Sequence, residues 1–349
     1  MSEAKIRVGI VAYGRVAQKY HAPILHALPG FEIVKVLERH QNLAEQHYPF
    51  VQTVRNMSEL LEDDSLDLIV ITTPNQFHFA QAKAALEAGK HVVLEKPFTV
   101  SSMEAEMLLQ VAESEDRLLS VFHNRRWDGD FKTVRKIIAS GALGELVEFE
   151  SRFDRFINRQ RDSYWREQDV PGAGVLYDLG PHLIDQALQL FGKPKRLFAD
   201  IRKQRPDSQV DDYFDLVLYY DRLKVRLKAG NLVKELQPRF VLHGTQGSFI
   251  KFGMDPQNRL PISAEAIARP DWGKESPEKW GKLNTTFQGL AISGSVETLP
   301  GTYFSYYEDI YQAIKHGKKP AVTAEDALAT IEIIEATMIS DRKMTVLSM

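Results

Sequence analysis

Residues 5–17 read KIRVGIVAYGRVA and predict a strand, a tight turn and the start of a helix. The apolar run that ends at Val11 is rich in Ile and Val, as expected of a strand buried on both faces. Ala12, Gly14 and Ala17 follow, so the turn reads A-x-G-x-x-A. Small residues at such a turn let the backbone approach a pyrophosphate at a helix N-terminus. An ordinary tight turn fits the bare pattern too, but the order strand, turn, helix favours a dinucleotide site.

The residues up to about 123 alternate apolar blocks with helical stretches. One helix begins near Arg15, is interrupted at Pro23 and stops at Pro29-Gly30. Further helices are predicted at Gln76–Ala88 and from Ser101 to about Glu115. Strands separated by helices of this length imply right-handed βαβ units in a parallel, doubly wound sheet. The remaining strands are predicted at Phe31–Leu37, Leu66–Ile71, His91–Leu94 and Leu118–Phe122.

Beyond this region the pattern changes to that of half-exposed strands. Val147, Phe149, Ser151 and Phe153 alternate with charged residues, and several strands follow one another without intervening helices. This favours a mainly antiparallel sheet with one open face, which self-association would cover. We therefore predict an α/β chain with an N-terminal Rossmann domain over 1–123 and a C-terminal α/β domain over 124–349. Later strands are predicted at Arg196–Ile201, Tyr213–Tyr220, Lys224–Gly230, Phe240–Gly244 and Ser248–Lys251, then a long excursion over 254–300 and helices at Phe304–Lys315 and Ala324–Ile339.

Composition narrows the class of protein. The 349 residues carry a formal charge of −3, with 44% hydrophobic and 26% charged residues, as in ordinary globular proteins. A near-neutral chain without a basic run is not expected to bind nucleic acid. With no secretory signal and no long apolar segment, we expect a cytoplasmic protein that does not enter membranes. The absence of cysteine excludes disulfides and thiolate metal sites, and no other metal-ligand spacing is found, so no metal is predicted.

The second predicted strand ends in Glu38-Arg39-His40, where a dinucleotide site distinguishes NAD from NADP. A carboxylate there binds the ribose hydroxyls of NAD and repels a 2′-phosphate, whereas Arg39 or His40 would accept that phosphate. A solvated charge pair at a strand end is the ordinary alternative for both cations. The choice stays open, with Glu38 favouring NAD slightly.

Two further turns fall at the carboxyl edge of the predicted sheet, where open parallel sheets bind ligands. Thr73-Pro74-Asn75 follows one strand, and Glu95-Lys96-Pro97 ends the next. A lysine at this position can hydrogen-bond a substrate oxygen and stabilise negative charge that develops on it. Lys96 is therefore a candidate catalytic residue rather than a surface cation.

Residues 172–185 contain Asp178 and His182, four positions apart. On a helix they share one face, and a carboxylate can orient a histidine that transfers a proton near neutral pH. A plain contact between two helix residues is the alternative for such a pair.

These motifs together resemble the glucose–fructose oxidoreductase/inositol dehydrogenase/rhizopine catabolism (Gfo/Idh/MocA) family over essentially the whole chain. The step Glu95-Lys96-Pro97 and the glycine-rich run into Asp178, His182 and Asp185 carry the resemblance. Residues 123–128, 165–167 and 176–180 are similar to a subgroup containing NADP-dependent scyllo-inositol dehydrogenases.

The resemblance implies NAD(P)-dependent hydride transfer between the nicotinamide and a secondary alcohol or ketone of a cyclic polyol or sugar. It implies catalytic Lys96, Asp178 and His182, with His182 as the general base. Substrate contacts are expected from Arg126, Trp165 and Arg166. Residues implied to bind NAD or NADP are Ala12, Gly14, Arg15, Val16, Glu38, Arg39, Thr73, Pro74, Asn75, His78, Glu95, Lys96 and Asn124.

The chain departs from the family pattern at two positions. Ala12 replaces the first glycine of the phosphate loop, which suits a turn without positive φ. Glu38 stands where NADP-preferring relatives are expected to have a small polar residue. A catalytically silent dinucleotide sensor is the alternative function, and an enzyme that retains tightly held NAD is a third. The complete Lys96, Asp178 and His182 set favours a dehydrogenase, and the open sheet favours a homodimer or homotetramer.

Overall fold

The structure, a computed structural model, describes residues 4–160 and 164–349. A six-stranded, all-parallel sheet has the strand order β3-β2-β1-β4-β5-β6. The order reverses between β1 and β4, which creates a crevice at the carboxyl ends of these strands. The strands are β1 (Ile6–Val11), β2 (Phe31–Leu37), β3 (Gln52–Val54), β4 (Leu68–Ile71), β5 (His91–Leu94) and β6 (Leu119–Val121).

Five α-helices connect these strands. A π-helical turn, Ala17–His21, precedes α1, and Pro23 stands in the first turn of α1. A proline is tolerated there because the first N–H groups of a helix have no acceptor within it. At the start of α5, Ser101 Oγ accepts the N–H of Glu104 at 3.3 Å, as the sequence predicts. The helices are α1 (Ala22–Ala27), α2 (Leu43–His47), α3 (Ser58–Leu61), α4 (His78–Glu87) and α5 (Ser102–Ser114).

A second sheet of nine strands has the order β14-β13-β12-β11-β7-β10-β9-β8-β15. Its pairings are antiparallel except that β7 and β10 run parallel. In chain order, the strands of this sheet and the later α-helices of the chain are α6 (Gly129–Ala139), β7 (Leu146–Arg152), α7 (Val175–Phe191), β8 (Arg196–Arg202), β9 (Tyr213–Tyr219), β10 (Lys224–Gly230), β11 (Phe240–Gly244), β12 (Gly247–Lys251), α8 (Ala264–Ile267), β13 (Gly281–Phe287), β14 (Leu290–Val296), α9 (Phe304–His316), α10 (Ala324–Lys343) and β15 (Leu347–Ser348).

The strands of this sheet alternate between buried and half-buried side chains. On β9, Phe214, Leu216 and Leu218 are fully buried, whereas the residues between them are half-buried. One face therefore packs against the core and the other is open, which confirms the predicted fold class. The hairpin β13–β14 lies inside the segment predicted as an excursion. The residues of β14 are almost all exposed, so this strand has no buried face and its sequence lacks the pattern that predicts one.

The described chain divides into two compact units. The first comprises residues 4–124, Arg259–Trp272 and Tyr303–Leu328. The second comprises Arg125–Asn258 without 161–163, then Gly273–Thr302 and Ala329–Met349. The predicted domains 1–123 and 124–349 differ from these units, because two later segments belong with the first sheet; that division stays a prediction. Within the described residues, no helix is long and apolar enough to cross a membrane.

Candidate active site

The turn after β1 has a left-handed residue at Ala12, whose φ is 70°. Thr72 Oγ1 donates to the carbonyl oxygens of Val11 at 3.2 Å and Ala12 at 3.0 Å, which ties the turn to the end of β4. The expectation that Ala12 stands in a turn without positive φ is wrong. The methyl group of alanine is strained in this conformation, and the closed turn imposes it.

A cavity of about 470 Å³ opens at the carboxyl ends of β1, β2 and β4. This volume lies in the range of ligand pockets. A Cβ added to Gly14 would meet nothing within 4 Å, so the turn leaves open space where the backbone would approach a pyrophosphate. The residues present therefore fit a dinucleotide. The cavity is lined by Val11, Ala12, Tyr13, Gly14, Leu37, Glu38, Arg39, His40, Gln41, Thr73, Pro74, Phe77 and Gln81.

Glu38 caps the start of α2. Its Oε2 atom accepts the N–H of Ala44 at 2.8 Å, and its Oε1 atom accepts the N–H of Leu43 at 3.2 Å. The side chain is buried with 6% exposure, whereas Arg39 and His40 are exposed. The carboxylate is thus bound by the backbone of its own chain, and Glu38, Arg39 and His40 all line the cavity.

His78 joins the turns that follow β4 and β5. Its ring nitrogens lie 2.9 Å from the carbonyl oxygens of Thr73 and Pro97. Burial lowers its pKa, and the contacts with the two carbonyl oxygens oppose this shift. His78 therefore connects two turns that are predicted to bind the cofactor, and it does not line the cavity.

Glu95 makes hydrogen-bond contacts in the interior of the first unit. Its Oε1 atom lies 2.8 Å from Nε2 of His21, and its Oε2 atom accepts the N–H of Lys96 at 3.1 Å. Both Glu95 and Lys96 are buried. Of the predicted cofactor residues, those that do not line the 470 Å³ cavity are Arg15, Val16, Asn75, His78, Glu95, Lys96 and Asn124.

In the second unit, helix α7 carries Asp178 and His182 one turn apart. Asp178 lies between two guanidinium groups, with Arg166 Nε 3.4 Å from its Oδ1 atom and Arg155 Nη1 3.5 Å from its Oδ2 atom. His182 is buried with 6% exposure, and its ring packs edge-on against Phe153. A carboxylate and an imidazole therefore lie on the first turns of one helix, and two guanidinium groups from outside the helix face the carboxylate.

The Arg166 guanidinium also stacks on its neighbours. Its centre lies 4.7 Å from the ring of Trp165, and its Nη1 atom donates to the hydroxyl of Tyr164 at 2.9 Å. Cation–π contact and the hydrogen bond fix the orientation of this arginine. Trp165 and Arg166 therefore form one rigid element beside Asp178.

Arg126 is placed differently. Its Nε atom donates to both carboxylate oxygens of Asp185, at 3.1 and 2.9 Å, and its Nη2 atom donates to Oδ1 at 2.5 Å. Both side chains are buried. The pair binds the residues before α6 to α7, the helix of Asp178 and His182.

Sequence reasoning missed several residues of the site. Tyr13 and Gln81 line the cavity, and Gln81 Oε1 accepts the Thr73 hydroxyl at 2.6 Å. Tyr13 stands at a variable position of the A-x-G-x-x-A turn, and Gln81 and Arg155 belong to no motif, so only spatial proximity identifies them. Among the described residues, no group of three or more His, Asp and Glu side chains has the arrangement of a metal site.

A parallel sheet with a cavity of this size at its carboxyl edge is typical of dinucleotide-binding dehydrogenases. The Gfo/Idh/MocA models described as an oxidoreductase NAD-binding Rossmann fold and as an oxidoreductase C-terminal alpha/beta domain match residues 6–123 and 135–349, respectively. The chain belongs to this family.

Similar proteins agree with this assignment along the whole chain. The chain is 42% identical to the uncharacterized oxidoreductase YdgJ of Escherichia coli (strain K12), covering 95% of this chain and 94% of that protein. It is 38% identical to scyllo-inositol 2-dehydrogenase (NADP(+)) IolW of Bacillus subtilis (strain 168), covering 97% and 94%. A solved structure of the putative oxidoreductase yvaA from Bacillus subtilis has a TM-score of 0.93 at 35% identity, covering 100% of this chain and 99% of that one.

Proposed function

We propose that this enzyme reversibly oxidises a secondary alcohol of a cyclic polyol or sugar. The observation that carries this proposal is the pairing of Asp178 and His182 on α7, with Asp178 flanked by Arg155 and Arg166. The likeness to IolW, a scyllo-inositol dehydrogenase by name, supports an inositol-like substrate.

When bound, the nicotinamide supplies the hydride acceptor for oxidation and the donor for reduction. His182 takes the hydroxyl proton as general base, and Asp178 orients the imidazole or stabilises its charged form. Lys96 hydrogen-bonds the reacting oxygen and stabilises its negative charge. Trp165 and Arg166 contact the substrate. Arg126, whose Nε and Nη2 atoms donate to Asp185, positions α7.

We propose NADP as the preferred cofactor. Glu38 is the residue that would disfavour a 2′-phosphate, but its two oxygens accept backbone N–H groups of α2. Arg39 and His40 line the cavity with exposed side chains, and a cation there accommodates a 2′-phosphate. The likeness to IolW, which is named as an NADP(+) enzyme, supports the same choice.

The test of the reaction is reduction of NAD⁺ and NADP⁺ in parallel, followed by absorbance, against inositol isomers and aldoses. Lys96→Ala serves as the blank. Turnover of an inositol with NADP⁺, absent in the blank, supports the proposal. No turnover of any polyol or sugar, with cofactor binding intact by calorimetry, would overturn the substrate class.

Cofactor preference is tested by binding, independently of turnover. We expect Arg39→Ala to weaken NADPH binding by about tenfold, the equivalent of one lost charge-assisted contact, and to leave NADH binding unchanged. Arg7→Ala is the control, because Arg7 is a half-exposed arginine of the same unit that does not line the cavity. Equal losses for both nucleotides, or tighter binding of NADH by the wild type, would contradict NADP preference.

We further propose that the enzyme is cytoplasmic and forms a homodimer or homotetramer through the open face of the second sheet. On that face of β9, Tyr213, Val217 and Tyr219 are half-buried beside Asp215, which pairs with Arg226, so the face is mixed apolar and charged. Val217→Asp should lower the mass measured by light scattering to that of one chain. An unchanged mass would exclude this face as the interface.

A further inference from the structure

Two adjacent aspartates, Asp211 and Asp212, lie immediately before β9 and contact both elements of the second unit that carry site residues. Asp211 acts on α7. Its carbonyl oxygen accepts the N–H of Val175 at 3.0 Å, and its Oδ2 atom accepts the N–H of Leu176 at 2.6 Å. These are the first two N–H groups of the helix, which have no acceptor within it.

Gly174 makes this contact sterically possible. Its φ is 93°, in the region that favours glycine, and a Cβ at this position would collide with the carboxylate of Asp211. The N–H of Gly174 donates to the carbonyl oxygen of Arg166 at 3.0 Å. The residue before α7 is therefore held by the turn Trp165–Glu167 on one side and by Asp211 on the other.

Asp212 acts on the turn that carries Arg166. Its fully buried carboxylate accepts the N–H of Arg205 at 3.0 Å and the Nε–H of the same residue at 2.9 Å. Arg205 in turn reaches Glu167, with 3.6 Å between Nη1 and Oε2. Glu167 directly follows Arg166, so this chain of contacts holds the arginine that faces Asp178.

We infer that Asp211 and Asp212 are positioning residues that set the Arg166–Asp178 pair and, through α7, the imidazole of His182. Asp212 holds the turn of Arg166, and Asp211 holds the helix of Asp178. Because Asp211 and Asp212 are adjacent in the chain, the turn and the helix are fixed relative to the same two residues. The inference rests on the proposed function in that Asp178 and His182 perform the chemistry. Because Asp211 and Asp212 contact neither side chain directly, their effect is on placement.

The carboxylates of the two aspartates are compensated in different ways, as their separate roles require. The Asp212 carboxylate is compensated by Arg205, whereas Asp211 is satisfied by backbone N–H groups. Burial raises the pKa of Asp211 to about 6, opposed by the hydrogen bonds from Leu176 and Val175. An amide at position 211 still offers one oxygen to Leu176, so Asp211→Asn preserves the contact and Asp211→Ala removes it.

The experiment compares Asp211→Ala, Asp211→Asn and the control Ser101→Ala, which removes a helix cap at α5. Asp211→Ala and Ser101→Ala each remove a side-chain oxygen that accepts an N–H group in the first turn of a helix. We expect Asp211→Ala to lower kcat by about tenfold or more, with NADPH affinity unchanged, and to accelerate amide hydrogen exchange at Val175 and Leu176. Asp211→Asn should restore most of kcat. Ser101→Ala should lose similar stability and keep kcat.

Equal kcat in Asp211→Ala and Ser101→Ala, after correction for the folded fraction, would overturn the inference. So would an Asp211→Asn variant that is as impaired as Asp211→Ala. If Asp211→Ala does not fold, Glu167→Gln tests the contacts that connect Asp212 to the Trp165–Glu167 turn. We expect faster exchange at residues 165–167 and a lower kcat. No change in either quantity would overturn the inference. The exchange measurements need no substrate. Absence of polyol turnover by the wild type would therefore contradict the proposed function, whereas unchanged exchange in the variants would contradict this inference.

Discussion

The imidazole of His21 lies 2.8 Å from the Glu95 carboxylate, with Nε2 facing Oε1, although the two residues are 74 positions apart. Nδ1 of His21 lies 2.6 Å from the hydroxyl of Tyr307, and all three side chains are buried. The pair connects the π-helical turn after the phosphate loop to the residue before Lys96.

This relationship predicts a large loss of stability in His21→Ala. Removing the imidazole takes one hydrogen-bonding group away from the buried Glu95 carboxylate and one from the buried Tyr307 hydroxyl, which typically costs about 1–3 kcal/mol for each buried group. Urea unfolding at pH 7 measures the loss. His26→Ala, at an exposed histidine on α1, should cost less than about 1 kcal/mol. Similar losses in the two variants would show that the buried pair does not hold this turn.

The left-handed Ala12 predicts that Ala12→Gly stabilises the protein. Alanine at φ 70° costs about 1–2 kcal/mol, and the greater chain entropy of unfolded glycine offsets about 0.5–1 kcal/mol of the gain. Thermal and urea unfolding should show a net gain of about 0.5–1 kcal/mol. A destabilised Ala12→Gly would mean that the methyl group packs favourably enough to outweigh the strain.

At Gly14 we expect a substitution that leaves stability almost unchanged and weakens cofactor binding. Its added Cβ meets no atom within 4 Å, so Gly14→Ala should change the free energy of unfolding by less than about 0.5 kcal/mol. The same methyl group occupies space where the backbone would approach the pyrophosphate, so NADPH affinity should fall by at least about tenfold. Calorimetric titration against wild type measures this, with Ala12→Gly as the matched loop variant. Undiminished affinity would place the pyrophosphate elsewhere.

The general-base assignment predicts that His182→Ala lowers kcat by about 10²–10⁴-fold, while NADPH binding is retained. Steady-state kinetics and binding titrations separate the two. His243→Ala is the control, because His243 is a second-unit histidine bonded to Ser248 of the neighbouring strand. We expect it to keep kcat. Near-normal turnover in His182→Ala would reject the assignment.

Asp255 predicts a stability that falls with pH. It is buried, its oxygens accept the N–H groups of Gly129 at 2.5 Å and Gln257 at 2.8 Å, and burial, with Asp128 and Asp130 nearby, raises its pKa to about 8. Between about pH 4, the unfolded pKa, and pH 8, the folded chain keeps a proton that the unfolded chain releases. This stabilisation is present below pH 4 and is lost as pH rises through 8.

We therefore expect Asp255→Asn to gain stability relative to wild type as pH rises from 5 to 8, by about 1 kcal/mol or more. Urea unfolding at three pH values measures the difference. Asp221→Asn, at an exposed carboxylate paired with Lys195, should give a pH-independent difference. Parallel curves for Asp255→Asn and wild type would show that Asp255 is ionised throughout this range.

Much of the fold could be predicted because its strands and helices differ in local periodicity. Buried runs such as Leu68–Ile71 and the alternating residues of β9 predict strands from a few consecutive positions. The strand Gln52–Val54 and the hairpin β13–β14 were missed, because the first is three residues long and β14 has no buried face. Register and strand order depend on pairings between distant segments.

The chemistry of single motifs is local, so the order of residues alone predicts a phosphate loop at Gly14 and places Asp178 and His182 on one helix face. What each charged group bonds to depends on partners far away in the chain. Glu38 lines the cavity, and the fold also bonds its carboxylate to N–H groups of α2, a contact that the sequence does not reveal. Likewise Arg126 pairs with Asp185, and Asp211 caps α7 from 35 positions away. A carboxylate or guanidinium has several possible partners of similar energy, and only the packed chain brings one of them within hydrogen-bonding distance.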